Sequence, residues 1–472
     1  MGHCMYSTYE EFNSAVGFEE KAGFALAPIQ KEDVIRFLQW RKSLNRYSVG
    51  CGKTVLSTVV SLMSGVPITV VTMPPILLTS WYRWLTKVSG NVLLYKGTPP
   101  VRKMMTLADK RWILMSHAIF RIDFERIMHD LHGMEAELIV DEAQALKSPK
   151  SKLYTMSGTF AQNRRMQMLT GTPTSTPLDC YTYIRLRSPE IYRSYQHFEN
   201  MHVAERDFFG AIKSYQLLDE LASNFAIKSI KRTKQEVHGY SIEPIFPDTT
   251  YELDPEHYKL YVKLVEDQLL LLDDGSKIDA TTAMKLRHAC QQIVCNWAYF
   301  SGDNSKRAIA YDLVDLTIEQ TECLVPGRSK LIIWTYYKMT SRSVLKYLKD
   351  KGYYAVGAYS EEDSAKSFEL FMEDEKCRIG VFQYQSAGSG LNPQFVCSES
   401  LHLETPTSSM QVTQALGRLD RVGQKVAPTM RIAIAKGTVQ EGTIEALLHN
   451  DDLVSRIETK SGLRAVLLGK PV

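Results

Sequence analysis

Apolar runs near residues 68, 112, 138 and 166, alternating with helical stretches, constrain this 472-residue chain more than any other feature. Such alternation predicts a parallel, doubly wound sheet. A second series begins later, where runs at 331–334 and 379–382 flank a helical pattern through Val344, Leu345 and Leu348. The chain is long enough, at 44% hydrophobic residues, for two sizeable cores. The expected organisation is a first α/β lobe over 1–240 with a helical insertion from about 178, a helical protrusion and hinge over 241–310, and a second lobe over 311–472 ending in a helical brace. Tyr258, Tyr261, Val262, Leu264 and Val265 carry the helical pattern of the protrusion, and Pro244 with Pro247 marks the hinge.

The stretch Ser48-Val49-Gly50-Cys51-Gly52-Lys53-Thr54 is read as a turn between helical segments. A full phosphate-loop pattern asks for glycine five positions before Gly52, where Tyr47 stands. The core GCGKT keeps the physical requirements. Gly50 and Gly52 let backbone N–H groups close on phosphate oxygens at the positive end of the next helix. Lys53 would contact the terminal phosphates, and the Thr54 hydroxyl would bind magnesium. A second half-site follows the run Leu138-Ile139-Val140, which leads straight into Asp141-Glu142-Ala143-Gln144. Here Asp141 would hold Mg²⁺ and Glu142 would orient and deprotonate a water. The alternative is an exposed acidic turn, but two carboxylates at the end of a buried strand would then be desolvated without compensation.

GCGKT, DEAQ and Leu169-Thr170-Gly171-Thr172-Pro173, in that order, resemble motifs I, II and III of superfamily two helicases and translocases. The stretch Gln414-Ala415-Leu416-Gly417-Arg418-Leu419-Asp420-Arg421-Val422-Gly423-Gln424 resembles motif VI of the Snf-type (Swi/Snf-like) ATPases, in a minimal bacterial or phage form. The resemblance covers roughly residues 24–450 and implies two RecA-like lobes, an ATP- and Mg²⁺-dependent hydrolase and helicase-like motor, and a DNA partner. It implies that Gln30, in Pro28-Ile29-Gln30, reads adenine, and that Gly50, Cys51, Gly52, Lys53, Thr54 and Gly390 surround the nucleotide. Pro74, Ser116, Thr335 and Ser386 fall in motifs that touch nucleic acid. Arg418 and Arg421, over 360 residues beyond Lys53, would act as arginine fingers only if the second lobe closes over the first.

Gln144 stands where histidine is usual, and its amide can still hydrogen-bond toward motif III. His117 replaces a tyrosine and is read as structural. The basic stretch Lys228, Lys231, Arg232 and Lys234 is read as a solvated face or the wall of a DNA groove. With 56 Lys and Arg against 53 Asp and Glu, any nucleic-acid contact must be local. Eight scattered cysteines and the lack of an apolar run approaching roughly 20 residues favour a reduced, cytoplasmic setting in a bacterial or phage-infected cell, without a membrane partner. The expected function is ATP-driven translocation on double-stranded DNA that displaces or remodels bound complexes, a polymerase among the candidate partners. A strand-separating helicase and a polymerase-associated factor with a regulatory ATP site remain open alternatives.

Overall fold

A computed structural model describes residues 5–448 apart from 175, 207–211, 240–243, 271–279, 304, 325–329, 359–360, 386–392, 407–408 and 422–423. The apolar runs form strands because parallel neighbours satisfy their backbone groups while helices cover both faces. In the first unit these are β1 (Lys42–Tyr47), β2 (Ile68–Met73), β3 (Val92–Leu94), β4 (Trp112–Ser116), β5 (Ala136–Asp141) and β6 (Arg165–Leu169). After an antiparallel pair, β7 (Val203–Arg206) and β8 (Ile212–Tyr215), the chain returns as β9 (Ser229–Arg232). The seven-stranded sheet runs β3-β4-β2-β5-β6-β1-β9, with every pairing parallel. All residues of β2, β4 and β5 are buried.

Two expectations change here. The phosphate-loop sequence does not sit between helices: β1 leads into it and the Lys53–Ser64 helix leads out. The polar sequence Lys-Ser-Leu-Asn-Arg-Tyr hides this strand. Its neighbours β6 and β9 pair with its backbone, and Asn45 uses its side-chain oxygen to accept the Tyr47 N–H at 3.0 Å. The region from about 178 is likewise not wholly helical, since it holds the β7–β8 pair and supplies β9 to the sheet edge.

The second unit begins with β10 (Thr250–Tyr251) and builds its main sheet from β11 (Leu331–Thr335), β12 (Ala355–Ala358), β13 (Ile379–Gln383), β14 (Glu399–His402) and β15 (Thr429–Ile432). Their order is β12-β13-β11-β14-β15, again parallel, while β16 (Ile434–Ala435) pairs with β10. The chain divides by its internal contacts into Met1–Ser241 and Ile242–Val472. Helices Pro255–Leu270 and Ala280–Cys295, read from sequence as a protrusion, contribute to the core of the second unit: Tyr261, Val265, Cys290 and Ile293 share one buried cluster with Leu331 and Ile333. Large apolar side chains on those helices require such a partner surface.

Candidate functional site

The loops leaving the C-terminal ends of β1, β6 and β5 lie side by side because β6 is hydrogen-bonded between the other two strands. In the first loop, Gly50 and Gly52 both take φ of 84°, a left-handed conformation that glycine adopts without a Cβ penalty. Cys51 between them is buried, and Lys53 opens the Lys53–Ser64 helix with half-buried Thr54 behind it. The Lys53 ammonium donates to the carbonyls of Tyr47 at 2.9 Å and Ser48 at 3.2 Å, so its charge is held over the loop.

Gln30 is also buried against this loop. Its Oε1 accepts the Ala27 N–H at 2.9 Å, and its Nε2 donates to the Cys51 carbonyl at 3.0 Å. Below it, buried Asp33 accepts Arg232 Nε at 2.7 Å, Arg232 Nη2 at 2.9 Å and the Tyr47 hydroxyl at 2.7 Å. This cluster fastens the Pro28–Gln39 helix to β1 and β9, and it corrects the reading of Arg232 as part of a solvated or DNA-lining basic face. Lys228 likewise donates to the Arg187 carbonyl, whereas Lys231 is exposed.

At the end of β5, the Asp141 carboxylate is buried and doubly held. Trp81 Nε1 donates to its Oδ2 at 2.7 Å, and the Glu142 N–H donates to Oδ1 at 2.9 Å. Burial, then the Glu142 charge, raises the Asp141 pKa; the Trp81 indole, Lys53 and the Glu142 N–H oppose that rise. Glu142 has φ of 51°, a strained value for a residue other than glycine, which turns the chain sharply out of the strand. Its carboxylate accepts Gln144 Nε2 at 2.7 Å, while the Thr170 hydroxyl donates to Gln144 Oε1 at 2.8 Å. Gln144 thus bridges the acidic loop to the loop after β6, the contact its amide was expected to permit. Gly171 completes the junction, because a Cβ there would stand 3.3 Å from Lys53 Nζ and 3.2 Å from Val49 Cγ2.

The remaining candidates are distributed as follows. Pro74 is half-buried ahead of the exposed Pro75. Ser116 is buried and caps the His117–Ile122 helix, accepting the Ile119 N–H at 3.2 Å. His117 pairs with Thr72 at 2.9 Å, and burial lowers its pKa to about 4, in keeping with a neutral structural role. In the second unit Thr335 is fully buried with its hydroxyl 2.6 Å from that of Ser341, which removes it from a nucleic-acid surface; Lys338 nearby is exposed. Arg418 and Arg421 lie at and just beyond the end of the Ser409–Leu419 helix, with Arg421 Nε donating to the Gly417 carbonyl at 2.9 Å. Ser386 and Gly390 lie outside the described residues.

The model of the SNF2-related domain matches residues 28–298. The chain belongs to the SNF2-related family. An uncharacterized ATP-dependent helicase of Mycoplasma pneumoniae is 23% identical to this SNF2-related protein over 463 residues, covering 93% of the chain and 43% of the relative. Chromatin structure-remodeling complex subunit snf21 of Schizosaccharomyces pombe is 22% identical over 482 residues, covering 90% of the chain and 39% of the relative. The chain therefore spans less than half the length of these relatives. The helicase domain of Pyrococcus furiosus Hef has a similar fold, with a TM-score of 0.53 at 13% identity, covering 89% of this chain and 99% of that one. The fold is that of two RecA-like doubly wound lobes, as the motif order implies.

Sequence reading passed over Asp33 and gave Trp81 no task. Asp33 left a signal, since it lies on the helical stripe of Gln30, Val34 and Phe37 that turns inward. The contact between Trp81 and Asp141 spans 60 residues and left none.

Proposed function

We propose that this SNF2-related chain is an ATP-driven motor that translocates on double-stranded DNA and displaces or remodels complexes bound to it. The observation that carries the reading is the convergence of Lys53, Asp141, Glu142 and the Gln144–Thr170 bridge at the C-terminal ends of β1, β5 and β6 in the first unit. The Lys53 ammonium donates to the loop carbonyls of Tyr47 and Ser48, acceptors that phosphate oxygens can replace. Gly50 and Gly52 open the loop backbone to those oxygens, and the helix dipole behind them favours negative charge. Gln30 holds the adenine side of the loop rigid through Cys51.

The residues fit magnesium: the buried Asp141 carboxylate and the Thr54 hydroxyl are the hard oxygen donors that ion prefers. Bound there, the ion would neutralise phosphate charge. Glu142 orients the attacking water and takes its proton, with Gln144 fixing the carboxylate. Arg418 and Arg421 serve as the cationic groups that stabilise the charge of the transferred phosphoryl group. The Pro74–Pro75 segment and Lys338 face the nucleic acid. The names of the Mycoplasma and fission-yeast relatives support an ATP-dependent, remodelling activity. Cys180, Cys290, Cys295, Cys377 and Cys397 are buried free thiols, which supports a reducing cytoplasm. Among the described residues, no helix is long and apolar enough to cross a membrane.

The deciding experiment measures ATP hydrolysis alone and with duplex DNA, single-stranded DNA or RNA. Stimulation by duplex over single strands is the expected result; a rate indifferent to all three overturns the motor reading.

A further inference from the structure

We propose that Trp81 is a positioning residue for the Asp141 carboxylate, a role that rests on the nucleotide-site reading above. The Leu78–Val88 helix begins three residues after Pro75 and presents Trp81, 2% exposed, to the end of β5. The Trp81 ring packs in a cluster with Val71, Met73, Leu85 and Ile139, which leaves the indole no room to rotate. Its N–H is a donor only and is aimed at Asp141 Oδ2, 2.7 Å away. The other oxygen is taken by the N–H of Glu142. The carboxylate plane is thus set by one group from a distant helix and one from its own turn, and each oxygen retains a lone pair for a cation. Losing a group that orients a metal-binding carboxylate in this way typically costs about 10- to 100-fold in metal affinity. On the same helix, Trp84 Nε1 donates at 3.0 Å to the hydroxyl of Thr58, on the Lys53–Ser64 helix. It makes a matched control, since it offers the same chemical group to a neutral partner.

The test titrates Mg²⁺ against binding of a fluorescent ATP analogue in the full chain, for wild type, Trp81→Phe and Trp84→Phe. Trp81→Phe is expected to raise the Mg²⁺ concentration for half-maximal binding by roughly 10- to 100-fold. Magnesium-free binding should stay within about twofold, and Trp84→Phe should leave the magnesium requirement within the same margin. An unchanged requirement in Trp81→Phe overturns the proposal, as does an equal change in Trp84→Phe or a parallel loss of magnesium-free binding. A wild type that binds no nucleotide overturns the site reading itself. Should Trp81→Phe not fold, the wild-type indole N–H resonances answer the same question: adding Mg²⁺ and ADP must move the Trp81 signal, assigned among the six tryptophans by a selectively labelled Trp81. A signal that stays in place sinks the proposal.

Discussion

Replacing Asp33 with alanine tests whether the buried Asp33–Arg232–Tyr47 cluster holds the first unit together. The carboxylate is fully buried, while the Arg232 side chain retains 18% exposure. Removing one partner of a buried pair costs about 3–5 kcal/mol, because the survivor is left desolvated and unpaired. Arg232 can still reach Glu236, 3.2 Å away on an exposed side chain, so the lower end, about 3 kcal/mol, applies. Arg36, the second cation near Asp33 at 3.4 Å, is half exposed and adds little. The Tyr47 hydroxyl loses its acceptor, adding about 1 kcal/mol. The total is about 4 kcal/mol, which at a urea slope near 2.5 kcal/mol/M moves the unfolding midpoint by about 1.5 M. Tryptophan fluorescence suits the assay, since Trp40, Trp81, Trp84 and Trp112 all lie in the first unit. The double variant Asp33→Ala/Arg232→Ala should recover about 1–2 kcal/mol, because no uncompensated charge remains. A midpoint shift below about 0.4 M for Asp33→Ala would refute the reasoning, by showing that desolvation already cancels what the pair contributes.

Gly171→Ala places a methyl group 3.3 Å from the Lys53 amine, so nucleotide affinity measured by equilibrium binding should fall roughly tenfold while stability stays within about 1 kcal/mol. Gln144→Ala breaks the bridge between Glu142 and Thr170; single-turnover hydrolysis should slow about 10- to 100-fold with ATP affinity near wild type, and a loss of affinity alone would contradict the bridging role. Arg421→Ala should bind ATP yet lose most hydrolysis, by about 10³-fold, and normal turnover would remove it from the finger role. Glu404 is fully buried, accepting the Tyr336 and Tyr337 N–H groups at 2.9 and 3.0 Å and the Thr340 hydroxyl at 2.5 Å. Burial raises its pKa to about 7, so the native state keeps a proton that the unfolded chain releases above about 4.5. Its contribution to stability is complete below about pH 4.5 and declines, by on the order of 3 kcal/mol, as the pH rises to about 7. Glu404→Gln should flatten that slope in urea titrations across this range, and identical slopes in the two proteins would refute the assignment.

The sequence by itself determined what depends on local chemistry. Glycines at 50 and 52 followed by Lys53 specify a left-handed turn into a helix, apolar runs such as 138–140 specify buried strands, and motif order along the chain specifies two lobes. These signals lie within a few residues of one another, where backbone geometry and side-chain type suffice. Strand β1 escaped because its side chains are polar and its burial comes from β6 and β9, which join it from more than 100 residues away. Thr335 ends strand β11 in a suggestive motif, yet packing buried it. Only the tertiary structure decided which donor meets which carboxylate: Arg232 on Asp33, Trp81 on Asp141, Thr340 on Glu404. A buried charge accepts any donor that packing delivers, and packing joins segments whose separation along the chain carries no trace of the contact.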